Sequence, residues 1–340
     1  MAQCEHPCLA HVQSLSAPKL SVMARTAMSR VTLRQLEYFR AIAATGSLAA
    51  AAEQMHVSRS TIAGALDDLE NGLGTQLCVR HKSQGVELTA AGRTALESSL
   101  GVLTQMEGLE SIAHPHRLSG VLSVGCFGSL APTVLPKLIS RFTADHPGVQ
   151  IDIEIESTDV LIERVMSGRL DLIISYRLHT DPRLDGRQLY ETRMHAVLPV
   201  DHPLARHAVI DARDLADEPM VMMTTPPSEE DVADYYASLG IVPNVKYRVS
   251  HFELGRSLVA AGLGYGLYIQ RPRHDLTYDG VPLATRPLNP PPLPGQVRIA
   301  WPRGRTLSAK TAAFAQLAML PEHELAPRSL YEDQAEKRGR

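Results

Sequence analysis

Residues 33–96 read LRQLEYFRAIAATGSLAAAAEQMHVSRSTIAGALDDLENGLGTQLCVRHKSQGVELTAAGRTAL. Leu33, Leu36, Phe39 and Ile42 recur at three-residue steps and give a first helix one apolar stripe, which Gly46 ends. Ser47 stands where an N-cap belongs for an Ala-rich second helix, whose Leu48, Ala51, Ala52 and Met55 face inward. His56 and Val57 form a turn, Ser58 caps a third helix, and Ile62, Leu66, Leu69 and Leu73 mark its buried side. After Gly74, residues 77–80 and 86–88 read as two short strands joined by a Gly-containing tip. Three helices and a hairpin in this order predict an all-α winged helix-turn-helix over 30–88, with the helix-turn-helix at about 48–67.

The exposed start of the third helix offers Arg59, Ser60 and Thr61, donors suited to base edges and phosphates in a major groove. Arg80 and Lys82 in the wing are the candidate phosphate contacts. Between Arg30 and Leu96, seven Lys or Arg residues stand against six Asp or Glu. Phosphate attraction normally supplies most non-specific affinity, so a head this close to neutral is expected to depend on dimerisation and on local placement of charge. The plainer alternative is a winged-helix module that binds no DNA.

The segment resembles the DNA-binding head of LysR-type transcriptional regulators. The resemblance is carried by L-R-Q-L-x-Y-F, G-S-L-x-x-A-A, the V-S turn, the L-E of the third helix, G-x-Q-L, V-x-L-T and the closing A-G. It implies a dimer or tetramer on partly palindromic promoter sites, with Arg59, Ser60, Ala63, Gly64 and Arg80 at or near the DNA. The family commonly has polar or basic residues where this chain has Ala63, Gly64, Asp67 and Asp68, so an unusual base preference is expected; in the wing, Cys78 stands where the family usually has an aromatic.

From Thr89 to about Ile112, Leu96, Leu100, Leu103, Met106 and Leu109 form one stripe of a long linker helix over 89–113. Packing within one chain would satisfy that stripe. Pairing with a second copy is the preferred reading, because the helix leads away from the head and the resembled family uses it as a dimer linker. His114, Pro115 and 118–120 read as a hinge. Strand-like and helical runs then alternate to about Met319, which predicts a parallel-rich α/β region over 118–320. Two lobes are expected, the first about 118–190 and 283–320, the second about 194–272. The crossings fall near 190–194 and 272–282, and 290–294 is a surface connection. GRSLVAAGLGYGLYIQRP extends the resemblance to the family's effector-binding domain, which is built like a periplasmic binding protein.

Ligands in such α/β lobes bind at strand C-terminal ends and between lobes. That rule nominates Phe127 as an apolar wall and Ser129, Ser157, Thr158, Thr224 and Thr225 as polar contacts, with Tyr265 as a weaker addition. For each Ser or Thr alone, an N-cap or a strand-end turn is an equal reading. Hydroxyls and helix N-termini together favour a small anionic or carboxylated metabolite, its identity unspecified.

The 340 residues carry a formal net charge of −3, which confines any DNA contact to one part of the chain. No apolar run reaches the roughly 18 residues of a membrane span. Cys4, Cys8, Cys78 and Cys126 are scattered, as suits a reducing cytoplasm. Cys4, His6, Cys8 and His11 lack paired zinc spacing, so no metal site is assigned. Residues 1–29 show no secretory signal and read as a disordered or misplaced extension with Met28 as start, and 321–340 as a mobile tail. A thiol switch at Cys126 lacks a second cysteine nearby to resolve it. No G-x-S-x-G, H-E-x-x-H or phosphate loop is present, so the chain is read as no enzyme and as needing no cofactor beyond its effector. The expected function is a ligand-responsive cytoplasmic transcriptional regulator with promoter DNA, an effector, its own copies and RNA polymerase as partners. The alternative is a solute-binding protein for transport.

Overall fold

The first helix starts where Thr32 supplies a capping box. The Thr32 Oγ1 accepts the Gln35 N–H at 3.3 Å, and the Thr32 N–H donates to Gln35 Oε1 at 2.8 Å. The computed structural model describes residues 31–81, 85–113, 118–319, 321, 325, 326 and 330. The expected N-terminal extension, Lys82, the His114–Pro115 part of the hinge and most of the tail lie outside the described residues.

Helix α1 (Leu33–Thr45) ends at Gly46, whose φ of 63° is the left-handed conformation of a helix C-cap. Ser47 and Ser58 cap α2 (Leu48–Gln54) and α3 (Arg59–Leu73) by accepting the N–H of Ala50 and Thr61. Phe39, Ile42, Ile62 and Leu66 are fully buried between the three helices, each contributing about 1.5–3 kcal/mol. Three residues expected to face inward depart from that expectation. Leu33 and Leu73 are the first residue of α1 and the last of α3, overhang this small core and stay exposed, and Met55 is half-buried.

The wing consists of antiparallel β1 (Cys78–His81) and β2 (Gly85–Leu88). Glu70 fixes its approach, its Oε1 accepting the N–H of Leu77 at 2.7 Å and of Cys78 at 2.9 Å. Gly85 (φ 88°) lies so close to the α1–α2 turn that a Cβ there would meet the Gly46 carbonyl oxygen at 2.4 Å. Helix α4 (Ala90–Ala113) follows. Its stripe is split rather than uniform. Leu96 and Leu100 are buried in the head's own core, Leu103 and Met106 are half-buried, and Leu109 is exposed. The expectation of a whole stripe kept for a second subunit is corrected for its first half.

Lobe 1 opens with β3 (Gly120–Phe127), α5 (Ala131–Asp145), β4 (Val149–Glu156), α6 (Thr158–Met166), β5 (Leu172–Tyr176) and β6 (Leu184–Thr192). Lobe 2 comprises β7 (His195–Pro199), β8 (Ile210–Asp211), β9 (Met220–Met223), α7 (Ser228–Ser238), β10 (Val245–Val249), α8 (Phe252–Ala260), β11 (Gly266–Tyr268), β12 (Leu283–Arg286) and β13 (Leu288–Asn289). The chain then returns to lobe 1 as β14 (Gly295–Pro302) and α9 (Ala309–Leu317). The lobe 1 sheet has the order β4-β3-β5-β14-β6, with the first three strands parallel and β14 antiparallel to both neighbours. Helices α5 and α9 cover one face around Phe142 and Phe314, and α6 covers the other around Leu161 and Val165. In lobe 2, β7 is the centre of an antiparallel sheet with β11 and β12, while β9 and β10 pair in parallel.

Three boundaries read from sequence are corrected. Residues 272–282 are no crossing: Leu276 bridges Pro282, and β12 pairs with β7, so 283–289 belong to lobe 2. The return crossing is the Pro-rich 290–294 segment. Strand β6 (Leu184–Thr192) is not expected from the sequence; most of it falls within the expected span of lobe 1, which it carries on to Thr192, into the expected crossing near 190–194. The tail is not wholly free, because Leu325 is buried in the lobe 1 core.

Candidate DNA-reading face and effector cleft

On α3, Arg59, Ser60, Thr61 and Gly64 are exposed and Ala63 is half-buried. The Ser58 hydroxyl lies 2.8 Å from both the Ser60 and Thr61 hydroxyls, so the cap also orients the two short donors. A Cβ at Gly64 would meet nothing within 4 Å. Arg80 is not a bare cation: its guanidinium donates to the Asp67 carboxylate of α3. His81 lies 3.5 Å from Glu87 across the hairpin.

Between the lobes lies a narrow cleft, closed down to about 20 Å³ of free space in this arrangement of the lobes. Ser129 and Tyr176 line it from lobe 1, Ser228 and Phe252 from lobe 2, with Gln270 at the junction. Gln270 is a buried polar node. Its Oε1 accepts from the Tyr190 hydroxyl at 3.2 Å and, more weakly, from Tyr176 at 3.5 Å, and its Nε2 donates to Thr133 Oγ1 at 2.7 Å. Tyr176 also lies 3.2 Å from the Ser129 hydroxyl, and burial pushes both phenols upward, so they remain protonated donors.

Of the expected effector contacts, Ser129 lines this cavity. Phe127 is buried behind it, edge-on to Tyr176 with ring centroids 5.3 Å apart. Thr158 is at the lobe boundary, its hydroxyl 2.6 Å from Ser175 and its N–H 3.5 Å from the Pro226 carbonyl of lobe 2. The Ser157 hydroxyl bonds Asp159, whose carboxyl it holds below the usual range. Thr224 and Thr225 donate to the carbonyls of Val249 and Ser250, tying two loops of lobe 2 together. Tyr265 is a correction. It is buried in the lobe 2 core, its hydroxyl 2.7 Å from that of Tyr236, and packing on α7 accounts for it. Tyr176, Phe252 and Gln270 were missed, although Tyr176 and Gln270 sit at strand ends by the same rule that found Ser129.

The cleft is bridged at its edge. Arg177, in the left-handed region at φ 54°, donates from lobe 1 to Asp231 at 2.6 Å and Asp234 at 3.1 Å on α7. Burial raises the Asp231 carboxyl to about 6 despite the opposing pull of Arg177. Glu229, Glu230 and Asp231 occupy the first turn of α7, so that helix N-terminus is already compensated by its own carboxylates and offers little to an anion. Cys126 is fully buried, and burial raises its thiol far above the ordinary value. Burial, with the nearby Glu70 charge, pushes the Cys78 thiol up to about 12.

A helix-turn-helix head with a wing, joined through a helix to two α/β lobes around a cleft, defines a DNA-binding protein with a ligand-sensing half. Residues 33–93 match the bacterial regulatory helix-turn-helix protein, lysR family, and residues 115–319 the LysR substrate binding domain. The chain belongs to the LysR family of transcriptional regulators. It is 31% identical over 240 residues to the Hca operon transcriptional activator HcaR of Escherichia coli, covering 69% of this chain and 80% of that protein. It is 28% identical over 240 residues to a hydrogen peroxide-inducible genes activator of Pectobacterium carotovorum, covering 70% of this chain and 79% of that protein. A full-length OxyR variant from Pseudomonas aeruginosa superposes with a TM-score of 0.66 at 25% identity, covering 85% of this chain and 98% of that one. Nothing in these comparisons favours the transport alternative.

Proposed function

We propose that a small carboxylated metabolite enters the inter-lobe cleft and contacts Ser129, with Tyr176 and Gln270 as further contacts. The observation that carries this reading is a cleft between two lobes bridged by an ion pair, in which Ser129, Tyr176, Ser228 and Gln270 set hydroxyl and amide groups into an otherwise largely apolar lining. Its acidic end belongs on the lobe 1 side, beside Ser129 and the start of α5, because the α7 turn would repel it. Binding that favours one lobe arrangement over another then alters how the heads present themselves to promoter DNA. Arg59, Ser60 and Thr61 read the major groove, while Ala63 and Gly64 leave room on the same face. Arg80 and Lys82 serve as phosphate contacts. In this reading the protein acts in the cytoplasm as an oligomer on DNA, touches RNA polymerase there, catalyses nothing and needs no cofactor besides the effector.

A thermal-shift panel of carboxylated metabolites tests the pocket. A compound that stabilises the parent protein should bind Ser129→Ala more weakly by about 0.5–1.5 kcal/mol, the net worth of one hydrogen bond. Full retention of the shift would remove Ser129 from the site.

A further inference from the structure

Ser60, Gly64 and Asp67 follow one another at four- and three-residue steps on the exposed face of α3, so the Asp67 carboxylate lies on the same stripe as the DNA-reading residues. A carboxylate there repels phosphate. Here it also binds the guanidinium of Arg80, the wing arginine that a duplex would need. Both side chains are substantially exposed, Arg80 at 41% and Asp67 at 55%, so neither is required for the core. The adjacent Asp68 is exposed too but makes no ion pair with Arg80. Glu70, one turn on, has a different task, holding the N–H groups that lead into the wing.

We propose that Asp67 is a specificity-determining residue of the DNA-reading face, withholding the Arg80 guanidinium from phosphates of non-specific DNA. In an exposed setting the pair is weak, so a duplex that seats α3 correctly displaces the carboxylate, whereas one that meets the wing alone gains little. The head therefore gives up non-specific affinity and improves the ratio between operator and bulk DNA, the quantity that governs site occupancy in a genome. This accounts for an acidic residue where the near-neutral head can least spare positive charge.

The test uses the full chain and a fluorescein-labelled mixed-sequence duplex, titrated between about 50 and 200 mM salt. Asp67→Ala should bind severalfold more tightly at the low end and steepen the plot of log K against log salt by about 0.9 for each head engaged. Asp67→Glu, which keeps the charge, should behave as the parent. In an Arg80→Gln background the gain from Asp67→Ala should shrink to the small gain given by Asp68→Ala, which loss of Arg80 should leave unchanged. Unchanged affinity and slope in Asp67→Ala would overturn the proposal, and so would a gain of undiminished size after removal of Arg80, which would reduce Asp67 to bulk charge. Thermal melting of each variant separates these outcomes from misfolding.

Discussion

At neutral pH, His195 is uncharged. It begins β7, is buried, and burial lowers its value from 6.5 to about 4, against a weak opposing contact at 3.4 Å with the Arg193 carbonyl. Between those values the unfolded chain binds the extra proton, so the associated stability is present above pH 6.5 and is lost as pH falls toward 4. Replacing His195 with Gln should flatten that limb of a urea-midpoint profile by on the order of 3 kcal/mol. An unaltered acid limb would show that the ring is accessible to protons.

Two glycines make opposite predictions. Gly64 is helical with open space around it, so Gly64→Ala should stabilise the head by about 0.5–1 kcal/mol in denaturant unfolding. Gly85 has the left-handed φ and the contact with Gly46, so Gly85→Ala should destabilise it by more than that. The sequence signalled both as glycines. Only the fold distinguishes a helix position with room from a turn without it.

At the scale of elements, legibility tracked local signals. Caps at Ser47 and Ser58 and the Gly46 stop were readable because each is a short-range hydrogen-bonding device. Strand β6 was unreadable because LDGRQLYET has no clean alternation, and its place at the sheet edge comes from β14, more than a hundred residues later. Strand β12 was put in the wrong lobe for a similar reason, since pairing with β7 is non-local and flanking prolines resemble a crossing. In the cleft, the hydroxyl at Ser129 followed from the strand-end rule, whereas the Gln270 node depends on three partners from lobe 1 that no spacing reveals. The Arg177 bridge belongs to this scale as well. Arg177→Gln should loosen lobe closure by up to about 1 kcal/mol, a several-fold rise in hydrogen exchange at the start of α7. Equal exchange in both proteins would show that other contacts hold the lobes together.

Across the whole molecule, neither cysteine among the described residues has the surroundings of a thiol switch. Cys78 and Cys126 are both buried with thiols pushed upward, the opposite of a reactive cysteine. Mass-spectrometric alkylation of the native protein should leave both unmodified until denaturant is added. Rapid labelling of Cys126 would reopen the redox reading.

The head also leans on lobe 1. Leu100 of α4 packs onto Gly168, a glycine at φ 75° where a Cβ would lie 2.7 Å from the leucine methyl. Arg40 of α1 and Arg305 of lobe 1 line the same small crevice. Gly168 is thus the point at which one extra carbon would act as a wedge between the two halves. Selection for alleles that switch a target promoter permanently on or off without effector should recover substitutions at Gly168 and Leu100, neither of which lies on α3, on the wing or in the lining of the inter-lobe cleft.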